Sequence, residues 1–143
     1  RAGRTKQQGK VMIQTYYPEQ NIIKSIEKRD RHTFVIQALE EREQFNIPPF
    51  GCMTSIIISG SKKSNVEKYA LQLAQTKSTL NNIDILGPVE APLVLLRGQY
   101  RYRILLKGKS RKNLNIYTKK MISSVKIPPS IKVVIDVDPY SFM

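Results

Sequence analysis

The sequence predicts an α+β fold: a ferredoxin-like β-α-β-β-α-β domain with an antiparallel sheet, preceded by a shorter strand-helix segment. Three observations predict it. Strand-like and helix-like apolar periodicities alternate from Phe50 onward, and Gly and Pro residues separate them. The chain also repeats itself. Ile56-Ile57-Ile58-Ser59-Gly60-Ser61-Lys62-Lys63-Ser64-Asn65-Val66 lies over Ile104-Leu105-Leu106-Lys107-Gly108-Lys109-Ser110-Arg111-Lys112-Asn113-Leu114 at a constant offset of 48. Duplication and chance similarity of two strand-to-helix turns both account for that match, and the order of elements holds under either.

In chain order, Val11 to Thr15 reads as a strand, and Pro18-Glu19-Gln20-Asn21 introduces a short helix with Ile22, Ile23 and Ile26 at helical spacing. Asp30 to Phe45 mixes Phe34, Val35, Ile36, Ala38, Leu39 and Phe45 with Glu40, Glu41, Arg42 and Glu43, the pattern of an amphipathic helix, which Pro48 and Pro49 stop. Phe50 to Gly60 is a strand by its isoleucine run. Ser61 to about Leu80 is a helix with Val66, Tyr69, Ala70, Leu73, Ala74 and Leu80 on one stripe. After Asn81-Asn82 comes a short strand, Ile83 to Leu86, broken by Gly87-Pro88 and Pro92 and followed by an unassigned apolar stretch, Leu93 to Leu96. Gln99 to Lys107 is the clearest strand, Ser110 to Val125 the next helix, and Ile131 to Val137 the last strand. Within the final helix, Leu114, Tyr117, Met121 and Val125 point inward and Ser110 is the expected N-cap.

Bulk properties narrow the function classes. The 143 residues suffice for one compact domain, burying roughly two thirds of its unfolded surface, plus a leftover segment. One cysteine, Cys52, and one histidine, His32, cannot form a four-ligand zinc site, and a lone thiol excludes an internal disulfide, as expected of a reducing cytoplasm. No apolar run approaches the ~20 residues of a membrane helix. The chain lacks an initiator Met, which suggests the tail of something larger.

Charge is the strongest compositional signal: +13, with a pI near 10.0. Acid is absent from Ala91 to Ile135, where Arg97, Arg101, Arg103, Lys107, Lys109, Arg111, Lys112, Lys119, Lys120, Lys126 and Lys132 supply eleven cations. Gathered on one surface, they would attract a polyanion through counterion release.

Alternation on the Gln99 to Lys107 strand sets Tyr100, Tyr102, Ile104 and Leu106 on one face and Gln99, Arg101, Arg103, Leu105 and Lys107 on the other. Two readings stand open: a cationic face tracking a phosphate backbone, with a tyrosine stacking on a base, or a half-buried strand with a solvated basic face. The tyrosines suit the core; the arginines suit phosphate, because no carboxylate lies near them in sequence. Arg97, Arg101, Arg103 and Lys107 are thus DNA-binding candidates, with Lys109, Lys112 and Lys119 as outer phosphate contacts. On the following helix, Arg111, Asn115 and Lys119 share an outward face, which suits either a carboxylate ligand or plain solvation.

Other motifs carry less. Gly108-Lys109-Ser110 resembles a P-loop ending, but the required Gly five positions earlier is Arg103. Asp136 and Asp138 share a strand face and fit strand-end carboxylates facing basic neighbours better than a cation site. Glu40 and Glu41 suit a solvated helix face, and His32 a surface position.

Spaced landmarks add a family resemblance. Arg1-Ala2-Gly3-Arg4 resembles the end of the helicase motif Q-x-x-G-R-A-G-R. After it come Gln14-Thr15-Tyr16 and Pro18, Leu39-Glu40-Glu41-Arg42, Pro48-Pro49-Phe50, Gly87-Pro88, Arg97-Gly98-Gln99-Tyr100-Arg101 and Asp136-Val137-Asp138-Pro139, in order. The series resembles the C-terminal region of the primosomal protein N′ family of bacterial replication-restart DNA helicases. Gln99 stands where the family usually has a basic residue, and Tyr102 at a position often held by Trp.

The resemblance implies that residues 1–28 end a second helicase lobe, 29–49 form a connecting helix and linker, and 50–143 the C-terminal α+β domain. It implies a parent that uses ATP and Mg to move 3′ to 5′ on DNA and carries Zn elsewhere, with Arg1 and Arg4 touching nucleotide phosphate as half a site. The chain alone, lacking a Walker A motif and an acidic metal-binding box, is expected to be inactive. Implied partners are single-stranded and forked DNA, other primosome proteins, and single-stranded-DNA-binding protein, whose acidic tail the family receives at the positions of Arg111 and Asn115; Asn115 is a shorter amide than the family's Gln. The implied location is the bacterial cytoplasm, with no membrane. Composition equally permits a free-standing RNA-binding or ribosome-associated protein of ferredoxin-like topology.

Overall fold

A computed structural model describes residues 9–76 and 82–139. The expected roles of Arg1 and Arg4, and the expected helix end at Leu80, lie outside the described residues. The chain divides into two units, Arg1–Glu40 and Glu41–Met143.

In the first unit, α1 spans Asn21–Lys28 and leads to α2, Arg31–Gln44, which runs on past Glu40. Arg29, in the left-handed region at φ 57, ends α1: its N–H donates to Ile26 O, and the Asp30 N–H to Ser25 O. Asp30 then starts α2, its carboxylate accepting the Thr33 N–H at 3.0 Å, and that backbone bond holds its pKa below the ordinary value. Asn46 closes α2 in the same left-handed way, with Ile47 N–H on Arg42 O and Asn46 N–H on Glu43 O. The strand expected at Val11 to Thr15 is not formed. A strand is stabilised by a paired neighbour, none pairs with it among the described residues, and Met12 is 94% exposed.

The second unit is the predicted ferredoxin-like α+β domain. Its strands β1 (Cys52–Gly60), β2 (Ile83–Leu96), β3 (Gln99–Gly108) and β4 (Ile131–Val137) form one antiparallel sheet in the order β2-β3-β1-β4. Helices α3 (Lys63–Ala74) and α4 (Arg111–Ser123) pack on the sheet. The Ser110 side chain accepts the Asn113 N–H at 3.4 Å and caps α4, whereas Lys62 before α3 makes no side-chain cap. β2 corrects the sequence reading, which broke it at Leu86. It runs on through Gly87, Pro88 and Pro92 to Leu96 by two register shifts, between Leu86 and Val89 and between Glu90 and Leu95. An edge strand tolerates prolines because only one side of its ladder must donate. Gly87 sits at φ +100, and a Cβ there would lie 2.9 Å from Arg103 O, so only glycine fits this bend.

The 48-residue repeat has a structural counterpart. Ile56 of β1 lies opposite Ile104 of β3, its own equivalent, so the local two-fold passes between them. Buried Val66, Tyr69, Ala70 and Leu73 of α3 correspond to buried Leu114, Tyr117, Thr118 and Met121 of α4. The Thr76 and Ser124 hydroxyls, 48 positions apart, stand 3.3 Å apart. One core fills the space between helices and sheet, with Ile56, Ile58, Tyr102, Ile104 and Leu106 from the central strands. Each such side chain stabilises the fold by about 1.5–3 kcal/mol through removal from water. Tyr102 is only 6% exposed, which places it in the core as expected, and burial raises its hydroxyl pKa.

Truncating Ile104 to Ala should cost about 2–5 kcal/mol, whereas Val89→Ala, on the far face and 57% exposed, should cost less than about 1 kcal/mol. Urea unfolding midpoints at matched m-values measure both.

Candidate nucleic-acid interface

The face of the sheet turned away from α3 and α4 is built by strand alternation, and the register lays it out in four rows. Lys132, Ser59 and Arg101 form the first, and Val134, Ile57, Arg103 and Val89 the second. Asp136, Ser55, Leu105 and Leu86 form the third, and Met53, Lys107 and Asp84 the last. Positive charge therefore gathers at one end of the face. Arg97, at φ 52 in the turn joining β2 to β3, belongs to that end by sequence neighbourhood.

At the other end carboxylates reappear. Lys107 lies 3.4 Å from Asp84 and donates to Phe45 O at 3.2 Å, so it is engaged twice within the protein. Arg101 and Arg103 have no carboxylate within ion-pair distance among the described residues. The Arg103 Nε is buried without an acceptor. With no carboxylate holding them, the remaining guanidinium donors of these two half-buried arginines are not committed to an ion pair.

The eleven cations of the acid-free stretch do not share one surface, contrary to the expectation from composition. Arg101, Arg103, Lys107 and Lys132 lie on the open face. Lys112, Lys119 and Lys120 belong to α4, which packs on the opposite side, and exposed Lys109 precedes it. The physical reason is that successive strand residues alternate between faces while a helix docks as a whole on one of them. Nor are all of these cations free of acid. Besides Lys107, Arg111, exposed with Asn115 and Lys119 on α4, pairs with Asp138 just beyond β4. Outside the stretch, Lys63 pairs with Glu90 at 2.5 Å.

These two pairs occupy equivalent places in the repeat. Lys63 and Arg111 are each the first residue of a helix and stand 48 positions apart, as do Glu90 and Asp138. The hydrogen bond and adjacent charge of Lys63 hold the Glu90 carboxyl below its ordinary value, and Glu90 in turn raises Lys63.

A model of the family described as primosomal protein N C-terminal domain matches residues 43–140. The chain belongs to that family. Proteins named Replication restart protein PriA are similar along nearly its whole length. The one from Rickettsia typhi is 38% identical over 99% of the chain and 22% of the relative, the one from Synechocystis 33% over 99% and 17%, and the one from Bacillus subtilis 28% over 100% and 18%. The chain thus spans about a fifth of the length of the curated relatives it matches.

In this primosomal protein N C-terminal domain, the described residues hold no group of three His, Cys, Asp or Glu side chains able to bind a metal, and no helix long and apolar enough to cross a membrane. Glu40, Glu41 and His32 are exposed, as expected. Lys132 joins Arg101 across Ser59 and was missed as a site candidate; its alternation with Ile131 and Val133 on a terminal strand was the available signal.

The Lys63–Glu90 pair makes a signed pH prediction. Glu90, lowered from 4.5, contributes stability above that value that is lost as pH falls through its folded pKa; Lys63, raised from 10.5, contributes stability below that value that is lost as pH rises through its folded pKa. Glu90→Gln should remove both dependences, so the urea-midpoint difference from wild type should be largest between these limits and vanish outside them.

Proposed function

We propose that this chain supplies the DNA-contacting and partner-docking region of a replication-restart protein of the bacterial cytoplasm. The rest of that protein would couple ATP hydrolysis to 3′ to 5′ unwinding. The open sheet face, at its Arg97, Arg101, Arg103 and Lys132 end, contacts the phosphate backbone of single-stranded and forked DNA independently of sequence. The opposite side serves a different partner: Arg111, with Asn115 beside it, receives the acidic C-terminal tail of single-stranded-DNA-binding protein, and Lys109, Lys112 and Lys119 attract that tail or outlying phosphates.

The observation that carries the DNA reading is the pair Arg101 and Arg103, half-buried on the open face and without a carboxylate partner among the described residues, in a protein whose net charge is +13. Support against the RNA-binding alternative comes from the same face. Sheet-face readers of single-stranded RNA stack bases on aromatic rings, and the paired positions of this face carry Ile57, Leu86, Val89, Leu105 and Val134 but no aromatic side chain. Backbone contact without base stacking fits remodelling of DNA of any sequence.

Replacing Arg101 and Arg103 together with Ala should weaken binding to single-stranded and forked oligonucleotides uniformly across sequences, and lower the slope of log K against log salt by about 2. Lys107→Ala should leave the slope nearly unchanged, because that ammonium is held by Asp84 and Phe45. Fluorescence anisotropy across a salt series measures both. An unaltered slope in the double variant would remove the sheet face from the DNA reading.

A further inference from the structure

The two equivalent ion pairs differ in a way that bears on docking. Glu90 lies within β2 and is held by Lys63 and by the Tyr102 hydroxyl at 3.4 Å, so its carboxylate depends on side chains. Asp138 is fastened to the backbone. Its Oδ1 accepts the Met53 N–H at 3.0 Å, and its own N–H donates to Met53 O at 2.8 Å. Neither bond involves Arg111. Arg111 is the movable member: its side chain is 64% exposed against 23% for Asp138, and a single nitrogen, Nη2, engages the carboxylate. A guanidinium carries five N–H donors, so most face solvent.

The position therefore already shows what it accepts, a carboxylate at the first residue of α4, and the resident carboxylate is the protein's own. We propose that Asp138 is a built-in competitor for Arg111, which an incoming acidic chain end must displace. This rests on the reading above that Arg111 receives such a tail. Displacement leaves Asp138 in place on Met53, so exchange proceeds by rotation of one exposed side chain without disturbing β4. The Arg111 member is largely solvated, and ion pairs open to water are weak, so the competitor lowers affinity without abolishing it. The Lys63–Glu90 pair, equivalent in the fold but on the other helix, supplies an internal control.

The test is titration of a fluorescent peptide matching the acidic tail of single-stranded-DNA-binding protein into the full chain and its variants. Asp138→Asn keeps an oxygen for the Met53 N–H while removing the charge, and Asp138→Ser offers a second variant should the first fold poorly. Either should bind the peptide about two- to fivefold more tightly than wild type. That gain should vanish in an Arg111→Ala background, and Glu90→Gln should leave peptide affinity unchanged. If Arg111→Ala alone binds as wild type does, the docking reading fails and the proposal with it. If Arg111→Ala weakens binding while both Asp138 variants bind equally or less tightly, docking stands and the competitor is overturned. A matching gain in Glu90→Gln would also overturn it, since the effect would then be one of net charge.

Discussion

The antiparallel pairing of β1 with β3 about Ile56 and Ile104 is the constraint on which the second unit depends. It brings the two strand-helix halves side by side in opposite directions, so that α3 and α4 cover the same face and one core serves both. Because each helix follows its strand through an equivalent turn, the helix starts and the outer strands are also placed by this pairing. The two cation–carboxylate pairs follow from it, one for each half.

With one face of the sheet claimed by the helices, alternation assigns every other strand residue to the opposite face, where Met53 and Ser55 are nonetheless buried. Arg101 and Arg103 gain their availability from this rule, and so does Lys132. The same rule denies availability to Lys107, whose neighbour in the row is Asp84 and whose ammonium also reaches the Phe45 carbonyl. Two residues of the same charge, four apart on one strand face, thus differ in what they offer a ligand.

Much of this was legible in the residues themselves. Period-two alternation on β3 separated tyrosines from arginines correctly, because a half-buried strand must sort its side chains by polarity. Helical stripes on α3 and α4 named their buried residues for the same reason. The continuation of β2 through two prolines was not legible, since it depends on an edge location that only the assembled sheet defines. Val11 to Thr15 has strand character without a strand, because composition does not provide a pairing neighbour. Charge was counted correctly yet placed on one surface. The acid-free run says nothing of carboxylates arriving from Asp84 and Asp138, which lie close in space and far along the chain.

The uneven charge of the open face has one further consequence. With Arg101, Arg103 and Lys132 towards one end of the strands and Asp84 and Asp136 towards the other, the face has an electric moment along the strand axis. A polyanion drawn in by the net charge would therefore meet stronger attraction at one end of the face than at the other, where Lys107 is already paired with Asp84. Such a surface selects an angle of approach, so two molecules of the same affinity but different shape would settle on it in different orientations.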